Sequence, residues 1–202
     1  MKIAVGGMIA SGKTTLVKNL SQSLNFDQLD EFKQGDEVFN TLLEWLYKGY
    51  EDVEMLLQVY FLHKHYKTQL EKANDVIVDR HIIEHWLFAQ ENLKEKPQVL
   101  NFYNGLFHQY MNQVIQPDIY FILDMDFDTF ESRIMQRGRP QEIDNYEQNK
   151  NYFKALLKSY KEKLIAQCTI YDIPYVIIDV NEQTETETLK KALNHIDALK
   201  TN

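Results

Sequence analysis

Gly7-Met8-Ile9-Ala10-Ser11-Gly12-Lys13-Thr14, followed by Thr15, spells a complete G-x-x-x-x-G-K-[ST] loop. A loop that wraps an anion has to turn its backbone N–H groups inward and bring the main chain close, which is why glycine stands at both ends. Lys13 is expected to reach the β- and γ-phosphates of a nucleoside triphosphate, and the Thr14 hydroxyl to ligate the accompanying Mg²⁺. The chemistry this spacing supports is the grip and transfer of a phosphate.

Other acid and base groups stand where such a loop needs them. Val78-Asp79-Arg80-His81 puts a carboxylate beside a guanidinium, with Asp79 able to hold Mg²⁺ directly or through water and Arg80 able to neutralise a phosphate. Asp30-Glu31 ends another apolar stretch, and a carboxylate there could take the proton of a hydroxyl attacking the γ-phosphate. Taken alone, Glu31 is as well explained as a solvated acid. Arg133, Arg137 and Arg139 run into Gly138 and Pro140. They read either as a solvated basic face or as a flap closing over the triphosphate, and the Gly/Pro break favours the flap.

Positioning these groups takes alternating elements. Short apolar runs at 2–5, 26–30, 75–79, 119–124 and 175–179 read as strands. Helical patterns at 14–24, 38–47, 52–72, 82–92, 99–115, 127–136, 147–167 and 186–199 separate them. The alternation predicts an α/β fold with a five-stranded parallel sheet and helices on both faces. Ligands of such sheets bind at the carboxyl ends of strands, which are marked here by Gly7, Glu31, Asp79 and Asp124.

Lys plus Arg total 22 against 30 Asp plus Glu, a net charge of −8, which opposes nonspecific binding to nucleic acid polymers or anionic membranes. The one cysteine, Cys168, cannot form an internal disulfide. Neither a signal-like N-terminus nor an apolar run of spanning length occurs, so a cytoplasmic location is expected. With no linker or internal repeat, residues 1–202 are expected to form one domain.

Together these residues resemble the deoxynucleoside kinase family, P-loop enzymes that phosphorylate the 5′-hydroxyl of deoxyribonucleosides, and in particular its bacterial deoxyadenosine and deoxyguanosine kinases. The resemblance runs over nearly the whole chain. The family's glutamate after the second strand falls on Glu31, its tyrosine and glutamine eleven residues apart fall on Tyr47 and Gln58, and its Asp/Glu-Arg-Ser/His signature falls on Asp79-Arg80-His81. The lid pattern R-x-x-x-R-x-R-x-x-E falls on Arg133, Arg137, Arg139 and Glu142, within a lid of about 137–145, and Asp179-Val180-Asn181-Glu182 looks like the adenine-side loop.

The resemblance implies ATP as donor, Mg²⁺ as cofactor, a purine deoxynucleoside as acceptor, a P-loop kinase fold and a homodimer. It implies Glu31 as general base beside Arg80, Gln58 on the base edge, Tyr47 and Glu142 on the 3′-hydroxyl, and Arg133, Arg137, Arg139, Asp179 and Asn181 around ATP. Phe88, with Trp86 as second choice, is the candidate for stacking on the base. The departures are Phe32 where a proline usually follows the glutamate, and His65 and His85 where an arginine and an aspartate usually help read the base. Lys64 could supply the missing charge, or the two imidazoles could face each other as donor and acceptor.

Three other readings compete. His81-Ile82-Ile83-Glu84-His85 spells H-x-x-E-H, a zinc protease signature, although it directly follows a P-loop kinase strand. A nucleoside monophosphate kinase of thymidylate kinase type shares the loop and the Asp-Arg pair but has less use for a carboxylate base. A regulatory nucleotide switch would bind without transfer, and the guanine motif N-K-x-D is absent from the sequence.

Overall fold

The computed structural model describes residues 1–30, 36–48, 50–71, 74–138, 143 and 146–200, apart from the side chains of Leu43, Tyr47 and Glu71. Five strands form the centre: β1 (Lys2–Gly7), β2 (Asp27–Leu29), β3 (Val76–Asp79), β4 (Ile119–Asp124) and β5 (Tyr175–Asp179). They lie in the order β2-β3-β1-β4-β5 with every pairing parallel. The inner strands are the uninterrupted apolar runs, since a strand covered on both faces has no water-facing side to make polar. The edge strand β5 alternates, and leaves Tyr175 and Ile177 exposed.

The helices are α1 (Lys13–Leu24), α2 (Glu37–Tyr47), α3 (Val53–Glu71), α4 (Ile83–Asn92), α5 (Pro97–Met111), α6 (Phe127–Arg137), α7 (Tyr146–Ile170) and α8 (Glu185–Lys200). α1 packs on β1, β3 and α8, whereas α3, α4, α5 and α7 pack on one another, giving a layer on each face of the sheet. Right-handed crossovers require this division, because the chain moves outward to β2 after β1 but back across the sheet after β2, β3 and β4. Connections therefore leave β1 and β3, which are neighbours, in opposite directions. A crevice opens at their carboxyl ends, where the glycine loop and Asp79-Arg80 stand.

The α/β expectation holds, with shifted boundaries. β2 spans only Asp27–Leu29. α5 stops at Met111 rather than residue 115, with the Asn112 N–H closing on His108 O and Tyr110 O. The Gln116 amide donates to Met111 O and Val114 O at 3.1 and 3.2 Å, and Lys2 Nζ donates to Ile115 O at 2.6 Å. The apolar residues Tyr103, Phe107 and Met111 of α5 are internal core, while Phe102 is exposed. Among the described residues no helix is long and apolar enough to cross a membrane.

Candidate active site

The loop between β1 and α1 has the conformation its glycines predict. Gly12 caps α1 at φ 95° with no side chain bonded to the helix end, leaving first-turn N–H groups to face an anion. Gly7 sits at φ 153°, and a Cβ there would lie 2.6 Å from Ser11 Oγ and 3.0 Å from Leu123 O. Ser11 N–H donates to Met8 O at 3.2 Å, and Lys13 Nζ folds back on the same carbonyl at 3.0 Å. Ile9 to Thr15 line a cleft of about 860 Å³. Thr14 Oγ1 donates to Asp79 Oδ2 at 2.7 Å, so the hydroxyl and the carboxylate expected around Mg²⁺ are in contact. Hard oxygen donors suit that ion, which usually takes few protein ligands beside substrate phosphates.

Arg80 follows β3 at φ 71°, a left-handed conformation that costs a side-chain-bearing residue about 1–2 kcal/mol. Several contacts hold it there. Its N–H donates to Val5 O at 2.9 Å, its carbonyl accepts from Gln69 Nε2 at 3.3 Å, and its guanidinium donates to Glu84 Oε2 at 2.5 Å. Glu84 is fully buried and also accepts from the hydroxyls of Tyr120 and Tyr160 and, at 3.3 Å, from Gly7 N–H. Burial pushes its carboxyl up, against the pull of Arg80, Lys13 and the two tyrosines. One carboxylate thus ties the phosphate loop, the arginine, β4 and α7 together. In the sequence Glu84 stands out only in the H-x-x-E-H pattern; the signal for its role is the i, i+4 spacing from Arg80.

The far end of the cleft is built by α3 and α4. Gln58 and Phe61 line it, and His65, at i+7 from Gln58, points the same way along α3. His85 of α4 lines it too, stacks on Phe61 at 5.8 Å with 7° between planes, and places Nε2 2.7 Å from His65 Nδ1. The two histidines face each other, as one sequence alternative held. Lys64 does not supply their charge, because it is bound to Asp36 and Tyr60 instead. Phe88 lines the cleft as a platform under Arg80, whose guanidinium carbon is 5.0 Å from the ring centroid. Trp86 turns to Phe107 at 6.4 Å. Phe61 was missed from sequence, although it shares the α3 face with Gln58.

Arg133 and Arg137 line the cleft as their i, i+4 spacing predicts. Arg133 donates to Ser11 O at 3.2 Å and to Val180 O at 2.5 Å, joining the loop to the turn after β5. In that turn Asp179 accepts from Asn181 N–H at 2.9 Å and Asn181 accepts from Asp126 N–H at 2.8 Å. Both line a neighbouring recess that shares Gln183 with the cleft. Asp124 is bound to Lys161 at 2.6 Å. Glu31, Arg139 and Glu142 lie outside the described residues, as does the Tyr47 side chain. The H-x-x-E-H side chains do not converge on a metal, since Glu84 binds Arg80 and His85 binds His65.

A parallel sheet with a phosphate loop at its switch point, an arginine held beside it and a cleft ending in aromatic and amide groups defines a P-loop phosphotransferase. The sequence profile of the deoxynucleoside kinase family matches residues 3–200, and the chain belongs to that family. A Mycoplasma pneumoniae protein described as uncharacterized is 34% identical over 196 residues, 92% of this chain and 85% of the relative. Bacillus subtilis deoxyguanosine kinase is 29% identical over 198 residues, 94% of this chain and 90% of the relative. The structure of Mycoplasma mycoides deoxyadenosine kinase with the products dCMP and dCDP superposes with TM-score 0.80 at 26% identity, covering 98% of this chain and all of that one.

Proposed function

We propose that this kinase transfers the γ-phosphate of ATP to the 5′-hydroxyl of a purine deoxyribonucleoside in nucleotide salvage. The observation that carries the reading is one continuous cleft with the phosphate loop, Arg80, Arg133 and Arg137 along one part and Gln58, Phe61 and His85 along another. The first set suits a triphosphate and the second a planar base with hydrogen-bonding edges. The deoxyguanosine and deoxyadenosine kinase relatives support a purine acceptor.

Lys13 would leave Met8 O for the β- and γ-phosphates, and Arg80 would stabilise charge on the transferring group from its seat on Glu84. Glu31 would take the 5′-hydroxyl proton, Tyr47 and Glu142 would hold the 3′-hydroxyl, and Arg137 with Arg139 would close over the nucleotide from a lid of about 137–145. Thr14 and Asp79 would hold Mg²⁺, which supplies charge neutralisation at the phosphate oxygens. Asp179 and Asn181 would border the adenine of ATP. In this reading residues 1–202 act as one domain, cytoplasmic and homodimeric.

ADP release from ATP and Mg²⁺, measured with each deoxynucleoside, its ribonucleoside and its 5′-monophosphate, tests the proposal. Turnover with a deoxynucleoside but not its monophosphate is expected. Turnover only with a monophosphate would move the assignment to a thymidylate kinase type of activity, and nucleotide binding without any transfer would point to a regulator.

A further inference from the structure

The cleft wall around Phe61 carries two polar groups whose hydrogen-bonding polarity is reversible. Gln58 is 2% exposed, and its Oε1 has no partner among the described residues. Rotating the side-chain amide by half a turn exchanges its donor and acceptor. His85 is buried, stacked on Phe61, and bonded through Nε2 to His65 Nδ1 at 2.7 Å. A contact of that length between two imidazole nitrogens needs one proton in it, donated by one ring and accepted by the other. Burial, followed by His65, Arg80 and His81, holds His85 well below the ordinary histidine range, so it is neutral at physiological pH.

With one proton on each ring, the pair has two arrangements. In one, His65 Nδ1–H donates to His85 Nε2, and the proton of His85 sits on Nδ1. In the other, His85 Nε2–H donates to His65 Nδ1, and His85 Nδ1 is a bare acceptor. Each ring keeps one proton in both, so the exchange changes polarity without placing a charge in a buried site. Purines differ in the corresponding way: a 6-amino group donates where a 6-oxo group accepts, with N7 an acceptor in both. An arginine and an aspartate at these positions would fix one polarity each.

We propose that His85, partnered by His65, reads the 6-position of the purine and switches its Nδ1 between donor and acceptor, so that one site serves both 6-amino and 6-oxo purine deoxynucleosides. The inference rests on the deoxynucleoside kinase reading above and deepens it. His85 is then the specificity-determining residue, and His65 a positioning residue acting through it.

Two measurements test this. In the unaltered protein, kcat/KM for deoxyadenosine and deoxyguanosine is expected to agree within about tenfold. In His85→Asp, which offers an acceptor only, the ratio is expected to shift toward deoxyadenosine by about tenfold or more, because deoxyguanosine would set two acceptors face to face. The ratio does not depend on how much of the variant folds. ¹⁵N NMR of histidine in the unaltered protein is expected to show His85 Nδ1 protonated with deoxyguanosine and unprotonated with deoxyadenosine. A preference above about 100-fold for one base in the unaltered protein, or the same His85 tautomer in both complexes, would overturn the proposal while leaving the kinase reading intact. Turnover of neither deoxynucleoside, with turnover of a monophosphate, would overturn the underlying reading.

Discussion

At the residue scale, substitutions at Lys13, Glu31 and Glu84 test three separate proposed roles. Lys13→Ala removes the loop's ammonium, and ADP release is expected to fall to background while far-ultraviolet circular dichroism is unchanged. Glu31→Gln is expected to lower kcat by about 10²-fold or more with nucleoside affinity nearly retained, as for loss of a positioned base. Full activity in that variant would remove Glu31 from the mechanism. Glu84→Gln takes away the carboxylate that accepts from Arg80, Tyr120 and Tyr160, and urea unfolding is expected to show a loss of about 1–3 kcal/mol. The residues legible in the sequence were those whose meaning is local, as in Gly7 to Thr14 and Asp79-Arg80. Glu84 and the His65–His85 contact were harder to read, because they depend on where α4 and α3 cross over the end of β3, a relation that spacing along one element does not carry.

At the element scale, the strand-to-helix turn carries the site and tolerates little change. Gly7→Ala would set a Cβ 3.0 Å from the Leu123 carbonyl in a backbone conformation at φ 153° that L-residues avoid. The expected cost is about 1–3 kcal/mol by urea unfolding, with ATP binding lost in a calorimetric titration. The α2–α3 corner depends on Asp36, which caps α2 through Phe39 N–H and binds Lys64 and Tyr60 of α3. Lys64 first, then Tyr60, pull its carboxyl down to about 2. A carboxyl lower in the folded than in the unfolded state stabilises above its ordinary value and loses that contribution as pH falls toward 2. Stability should therefore decline between about pH 4 and pH 2, and less steeply in Asp36→Asn, measured by thermal unfolding across that window. Most element types followed from period and turn residues. The end of α5 did not, because Gln116 folds back on Met111 O and the distant Lys2 holds Ile115 O in the segment that follows.

At the scale of the whole molecule, strand order turns a local motif into a catalyst. The order β2-β3-β1-β4-β5 sets the carboxyl ends of β1 and β3 side by side, so the glycine loop and Arg80 share one crevice. α3 and α4 then close its far end with Gln58, Phe61 and His85. With a net charge of −8, the chain concentrates cations in the cleft as Lys13, Arg80, Arg133 and Arg137. The measurement that tests this account most directly is transfer of label from γ-³²P-ATP, with Mg²⁺ present, to deoxyadenosine, deoxyguanosine and their 5′-deoxy counterparts. Label should pass to the two natural nucleosides and to neither analogue. Label reaching a 5′-deoxy analogue, or passing only to a nucleoside monophosphate, would contradict it.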